Sequence, residues 1–235
     1  MIELTILMPC RNEAATVEAC VAEAKGYLAS SGIAGEVLVV DNGSTDCSRN
    51  LAEAAGSEVI IVPEAGYGNA VLGGIQAAQG KYIIMGDCDG SYDFSQLDEM
   101  LAKLREGCDL VIGNRFLGGI QPGAMPVLHR YVGVPILSLL GRIRFRQNVG
   151  DFHCGLRGFS RESVDKLTFR CGGMEFATEI IGRFSDAGMK ICQVPVPLRR
   201  DLRGHPGHLR TVRDGLRHLY LLVFWDRQNK EEGHH

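Results

Sequence analysis

Two carboxylates two residues apart, Asp87 and Asp89, follow the apolar run Tyr82 to Met85 in the stretch "YIIMGDCDGSYDF". A short apolar run that stops at Gly-Asp reads as a buried strand ending in a loop, with both acids over the sheet edge. Carboxylates ~4 Å apart repel by about 4 kcal/mol at an effective dielectric near 20. A divalent cation removes that cost. Oxygen ligands suit Mg²⁺ or Mn²⁺, which commonly bridge protein carboxylates to phosphates. The competing reading is a polar turn with Asp89-Gly90 as its turn residues. Position directly after a buried strand favours the metal.

Three further loops follow apolar runs in the same way. "PCRNEA" holds Pro9, Asn12 and Glu13. Its Asn and Glu can accept hydrogen bonds from a base or ribose, or serve as the cap and first-turn acid of the next helix. "VVDNGSTD" ends a second run at Asp41, which can accept from a base N–H or a ribose hydroxyl; the plain alternative is helix capping by Ser44 or Asp46. "GYGNAVLGG" places Gly66 and Gly68 before a helix, where backbone N–H groups can meet an anion. It lacks the third glycine of a dinucleotide fingerprint, which argues against a Rossmann dehydrogenase.

Arginines concentrate in the second half: Arg115, Arg130, Arg142, Arg144, Arg146, Arg157, Arg199, Arg200 and Arg203. Solvated faces explain most basic runs. In a chain of formal net charge −3, this asymmetry points to an anionic partner for that half, and Arg suits bidentate phosphate recognition. His153, beside Cys154, reads as a satisfied histidine more readily than as an extra metal ligand.

The elements that must position these residues alternate. Strands are expected at 4–8, 36–40, 58–62, 81–85 and 109–113, with helices at 14–30, 46–55, 69–78 and 95–105 between them. Short strands apolar on both faces, alternating with helices, predict a parallel sheet covered on both sides, and ligands then bind beyond the carboxyl ends of the strands. The second half is less regular: an apolar helix-like patch at 132–140, a strand within 154–160, a helix over 174–187, a strand over 190–196, and a helix from Gly207 to Trp225. That last helix carries Leu209, Val212, Leu216, Leu219, Tyr220 and Val223 on one face, with Arg210, Arg213 and Arg217 away from its centre. Such a helix lies in a membrane interface or packs on its own domain.

The 235 residues suit one large α/β domain, and the acidic balance argues against nucleic-acid binding. Eight cysteines without a C-x-x-C pair read as reduced core residues, hence a reducing, cytoplasmic compartment. No signal peptide opens the sequence, and no apolar stretch reaches the ~20 residues needed to cross a bilayer. Residues 232–235 read as a tag remnant.

Taken in order, "ILMPCRNEA", "VVDNGSTD", "GYGNAVLGGI", "GDCDGSYDF", "IGNRF", "DFHCGLRGF" and "GMEFATEI" resemble the motifs of family-2 glycosyltransferases, in the branch near the dolichyl-phosphate mannosyl- and glucosyltransferases. The resemblance spans about residues 3 to 225. It implies a single type A glycosyltransferase domain, Rossmann-like, with a mostly parallel central sheet and helices on both faces. Residues 3–114 would be its nucleotide-sugar half and 115–226 its acceptor half. It implies that Pro9, Asn12, Glu13, Asp41, Gly68 and Asp87 hold a nucleoside-diphosphate-sugar donor, UDP- or GDP-linked. Asp87 and Asp89 would hold Mg²⁺ or Mn²⁺. Arg115, Arg130 and a third arginine, Arg199 or Arg200, would hold the phosphate of a polyprenyl acceptor at the inner face of the membrane. Ser91 stands where mannosyltransferase relatives often carry Gln.

A phosphate acceptor is already ionised at neutral pH and needs little general base; a hydroxyl acceptor must lose a proton. Glu175 is the candidate base, with Glu179 one turn on; both read equally as structural carboxylates pairing with Arg. Asp89, Arg115 and Glu175 are thus the expected catalytic set. A nucleotidyltransferase and a non-catalytic sugar-nucleotide binder remain the rival classes.

Overall fold

A computed structural model describes the backbone of residues 1–204 and 211–230 and the side chains of 1–204 and 213–225. Leu209, Arg210, the start of the predicted last helix and the tag remnant lie outside the described residues, as does the side chain of Val212.

Seven strands form one sheet in the order β3-β2-β1-β4-β6-β5-β7: β1 (Leu4–Cys10), β2 (Gly35–Asp41), β3 (Glu58–Ile61), β4 (Tyr82–Met85), β5 (Leu110–Asn114), β6 (Arg157–Ser160) and β7 (Ile191–Pro195). β1 is an interior strand: Leu4 to Cys10 pairs in parallel with Gly35 to Asp41, and Leu4 to Leu7 with Tyr82 to Met85. The helices are α1 (Val17–Ser31), α2 (Ser48–Ala54), α3 (Tyr67–Ala77), α4 (Asp98–Arg105), α5 (Arg115–Gly118), α6 (Val134–Phe145), α7 (Arg161–Val164), α8 (Phe176–Asp186) and α9 (Thr211–Lys230). A π turn, His129–Gly133, runs directly into α6.

Successive side chains of a strand point to opposite faces. Leu4, Thr5, Ile6, Leu7 and Met8 are all fully buried, so both faces of β1 are covered. Each apolar side chain so buried is worth roughly 1.5–3 kcal/mol. The one polar residue in that run is satisfied: Thr5 Oγ1 donates to Glu36 (2.6 Å) and accepts from the Gly80 N–H (2.9 Å). A Cβ at Gly80 would lie 2.5 Å from the Thr5 backbone nitrogen, so only glycine lets α3 hand over to β4 at this spacing.

β6 runs antiparallel to both neighbours, with Arg157 opposite Met85 and Ile112. It breaks the parallel series expected from the alternating pattern and carries the chain segment before it to the carboxyl ends of the other strands. The core is stitched on one side by a disulfide between Cys108 and Cys192, whose Cα atoms are 6.1 Å apart. This corrects the expectation of eight thiols. The two cysteines are 84 residues apart, and the β5–β7 register, which sets Val111 against Cys192, brings them together. Cysteine usage therefore carries no compartment. Among the described residues no helix is long and apolar enough to cross a membrane.

Candidate active site

The strand order reverses at β1, which has β2 on one side and β4 on the other. Crevices at such switch points are where open α/β sheets bind ligands. A cleft of about 520 Å³ opens there, lined by Pro9, Glu13, Asn42, Tyr67, Asp87, Tyr92, Arg115, His153 and Arg203 together with Arg213, Asp214 and Arg217 of α9.

The loop after β4 is anchored to the loop after β1. Thr16 Oγ1 donates to the Cys88 carbonyl at 2.7 Å, and Cys88 Sγ to the Pro9 carbonyl at 3.3 Å. Asp87 lines the cleft, and Tyr67 hydrogen-bonds its carboxylate. Burial, and then the neighbouring Asp89, push the Asp87 carboxyl up to about 6, against the pull of Arg203. Gly155 leaves room for it: a Cβ there would stand 2.4 Å from Asp87 Oδ2.

Asp89 is buried. Its Oδ1 accepts from the Ser91 N–H (2.9 Å), and its Oδ2 is covered by the Arg203 guanidinium, which also pairs with Glu13 at 3.3 Å. Backbone bonds lay the segment after β7 along this loop: Arg199 N–H donates to Ser91 O and Leu202 N–H to Asp89 O, both at 2.9 Å. That path turns Arg203 inward.

Arg115, at the end of β5, faces the cleft from the other side. It grips the fully buried Asp151 with Nε and Nη2 at 2.7 and 2.8 Å. Asp151 and His153 belong to the segment that β6 delivers to this edge. Tyr92 Oη accepts from the Gly155 N–H at 2.8 Å, and Arg157 donates to the carbonyls of Phe152, Cys154 and Ala177 at 2.7, 2.8 and 2.7 Å. Arg157 is thus spent on the loop and on α8 and is not a ligand for an anion. Burial, then His218, Arg115 and Arg157, hold the His153 imidazole well below its usual pKa, so it stays neutral. Neither of its ring nitrogens has a hydrogen-bond partner among the described residues, against the expectation of a satisfied histidine.

Of the residues singled out by sequence, Pro9, Glu13, Asp87 and Arg115 meet in the cleft, with Asp89 behind Arg203. Asn12, Asp41, Gly68, Arg130, Arg200 and Glu175 are not among the described residues lining it. Asn12, at φ 57°, accepts from Thr45 N–H at 2.8 Å and so ties the loop after β1 to the loop after β2, while Asp41 accepts from Ser44 N–H at 3.3 Å within its own loop. A Cβ on Gly68 would lie 2.1 Å from the Cys171 carbonyl, so this glycine serves helix packing. Arg130 stacks on Tyr131, and Arg200 donates to Pro122 O from an exposed position. Arg199 pairs with Glu23 and Asp93. The arginine from this segment that enters the cleft is Arg203. Its pattern signal was its place after a β7 that must end at the active edge.

Glu175 lies 3.5 Å from Arg217 and faces a separate groove beside α9; Glu179 is buried and accepts from the backbone N–H groups of Arg170 and Cys171. On α9, Leu216, Tyr220 and Val223 are exposed, while Leu221, Leu222 and Trp225 are buried, so the helix packs on its own domain with the opposite face from the one expected to be its apolar stripe.

The acidic pair fits a divalent cation. Burial and the neighbouring Asp89 raise the cost of ionising Asp87, and the Arg203 guanidinium already sits on Asp89 as a stand-in positive charge. Among the described residues no cluster of three or more His, Cys, Asp or Glu is disposed around a common point. An ion such as Mg²⁺ is usually held by one or two carboxylates and completed by substrate phosphates and water.

The model of the family "Glycosyl transferase family 2" matches residues 5–168. The hexosyltransferase Agl6 of low-salt glycan biosynthesis in Haloferax volcanii is 36% identical over 222 residues, covering 94% of this chain and 53% of Agl6. An uncharacterised glycosyltransferase of Mycobacterium tuberculosis, Rv0539, is 33% identical over 94% of this chain and 96% of its own. The dolichyl-phosphate hexose transferase of H. volcanii is 30% identical over 70% of each. Among solved structures, glucosyl-3-phosphoglycerate synthase from M. tuberculosis, in complex with Mn²⁺, UDP and glucosyl-3-phosphoglycerate, superimposes with a TM-score of 0.72 at 24% identity over 95% of this chain and 79% of that one, showing a shared fold. The chain belongs to glycosyl transferase family 2. It spans about half the length of Agl6.

Proposed function

We propose that this protein transfers a hexose from a nucleoside-diphosphate sugar to a polyprenyl phosphate at the inner membrane face. The observation that carries this reading is the juxtaposition, in one cleft at the switch point, of the Asp87–Asp89 pair with Arg115 and Arg203. The donor's diphosphate would lie over the acidic pair. Mg²⁺ or Mn²⁺, when bound there, would supply Lewis-acid stabilisation of the departing nucleoside diphosphate; the synthase with the same fold is known in complex with Mn²⁺ and UDP. Asp87 and Asp89 would hold the cation. Arg203 moves its charge from Asp89 to a phosphate oxygen.

The acceptor phosphate, with a second pKa near ~6, is largely ionised at neutral pH and attacks the anomeric carbon as the bond to the donor diphosphate breaks. Arg115, oriented by Asp151, offsets the repulsion between the two phosphates; each charge-assisted bond is worth roughly 1.5–3 kcal/mol. No carboxylate base is needed, which agrees with Glu175 lying outside the cleft lining. The dolichyl-phosphate hexose transferase among the relatives supports this acceptor class.

The test is transfer from UDP- and GDP-hexoses with Mn²⁺ to a polyprenyl phosphate, with a saccharide hydroxyl acceptor alongside. Turnover on the lipid phosphate that Asp87→Asn and Asp89→Asn abolish is expected. Transfer to the saccharide alone would refute the acceptor assignment, and activity retained by both variants would refute the site.

A further inference from the structure

The helix α6 is apolar on two faces, and its own chain covers one. Ser138, Gly141 and Phe145 are buried: the Phe152 N–H donates to Ser138 Oγ at 3.2 Å, and Phe145 packs edge-on to Trp225 with ring centroids 5.0 Å apart. The other face is exposed. Leu128, Val132, Ile136, Leu139 and Ile143 recur at three- and four-residue spacing through the π turn and α6, exposed by 60, 44, 52, 53 and 68%. A helix apolar all round is one that something covers on every side. Contiguous patches of this kind mark an interaction site.

Charge says what covers it. Between Phe116 and Gly150 the sequence holds four arginines and one histidine and no Asp or Glu, in a chain of net charge −3. Arg142 and Arg146 are exposed at the far end of the face, and Arg130 stands at its beginning. A second copy would meet this patch with itself across a two-fold axis and set arginine against arginine. An anionic lipid surface is complementary to it: acyl chains take the Leu and Ile side chains, and headgroup phosphates take the guanidinium groups. The exposed stripe of α9 lacks such a rim, because its Arg213 and Arg217 line the cleft.

We propose that the π turn and α6 form a docking surface for anionic bilayers, lying in the headgroup region parallel to the membrane. The proposal shares with the proposed function only its setting at the membrane, and it uses neither the acidic pair nor the arginines of the cleft, so loss of vesicle binding and loss of transfer are separate outcomes. It has a geometric consequence for that reading: the covered side of α6 holds Phe152, next to the Asp151 that grips Arg115.

The experiment is co-sedimentation of the whole protein with vesicles of phosphatidylcholine alone and of phosphatidylcholine with 30 mol% (about one lipid in three, enough for a surface potential) phosphatidylglycerol. Binding to the anionic vesicles that weakens in high salt is expected. Arg142→Gln with Arg146→Gln should lower partitioning by about 30-fold. Leu139→Gln with Ile143→Gln should reduce binding in both low and high salt, with unchanged circular dichroism and melting. Ile61→Gln, at an exposed apolar residue on the edge strand β3, should bind like the parent. Failure of the parent to bind anionic vesicles would overturn the proposal. So would parent-like binding by Leu139→Gln with Ile143→Gln. A dimer by light scattering that this pair of substitutions converts to monomer, without change in vesicle binding, would assign the face to a second copy instead.

Discussion

Arg203 lays its guanidinium on the Asp89 carboxylate from 114 residues away and reaches Glu13 with its other amino group. The guanidinium is the positive charge in contact with the acidic pair. Metal binding must displace it or share Asp89 with it. Arg203→Ala should therefore tighten Mn²⁺ binding in the absence of nucleotide, by about tenfold, since a charge-assisted bond is worth roughly 1.5–3 kcal/mol. The same variant should lose turnover because the diphosphate loses its guanidinium. Calorimetric titration with Mn²⁺ and steady-state rates separate the two effects.

Metal binding should also be linked to a proton on Asp87. Its carboxyl is raised to about 6 from an ordinary 3.8, by burial and then by Asp89. Between those values the folded metal-free protein holds a proton that the unfolded chain has lost. The stabilising contribution of this group is therefore full below about 3.8 and is lost as the pH rises through about 6. Mn²⁺ must expel that proton, so its affinity should fall by about tenfold per pH unit below 6, with one proton released per ion. Titrations in buffers of different ionisation enthalpy read the proton directly. Asp87→Asn should abolish both the release and most of the binding.

The Arg115–Asp151 pair is held by two hydrogen bonds, with Asp151 fully buried. Removing one partner of a buried pair leaves a charge unpaired and costs about 3–5 kcal/mol. Asp151→Asn and Arg115→Ala should each lower the urea-unfolding free energy on that scale. Arg115→Lys should recover part of the stability but little of the turnover, because an ammonium cannot engage both carboxylate oxygens while facing the cleft.

Glu175 and Glu179 divide into two roles. Glu175→Gln should keep appreciable turnover with a phosphate acceptor, whereas Arg115→Ala loses most of it. Glu179→Gln should act through stability, since its carboxylate accepts from the Arg170 and Cys171 N–H groups and lies against Arg183 at 3.4 Å. Melting curves and rates measured on the same samples distinguish the two positions.

The first half of this fold was legible because its strands are unbroken apolar runs and its loops carry acids directly after them. All five strands predicted there are present, each within two residues at either end. What sequence could not supply was the antiparallel turn of β6. A four-residue strand with a buried arginine, Arg157, shows no periodicity that fixes its direction. From that strand follows the arrival of Asp151 and His153 at the active edge; the parallel β5–β7 pairing that joins Cys108 to Cys192 was likewise not legible, since it links positions 84 residues apart. In the donor loops, Asn12 and Asp41 have residue types that suit a ligand contact or a structural one; Asn12 accepts from Thr45 in the next loop and Asp41 from Ser44 in its own. Arg203 was hidden among neighbouring arginines: only the backbone pairing of residues 199–202 with the loop after β4 shows which one turns inward.

The central claim is that the paired acids after β4 hold a divalent cation bearing the donor's diphosphate. Electron paramagnetic resonance of Mn²⁺ titrated with the protein in the presence and absence of UDP or GDP tests it most directly. The account predicts an ion bound more tightly with one of the nucleotides than without, and lost in both Asp87→Asn and Asp89→Asn. Equal Mn²⁺ binding by the parent and the two variants, with no response to either nucleotide, would contradict it.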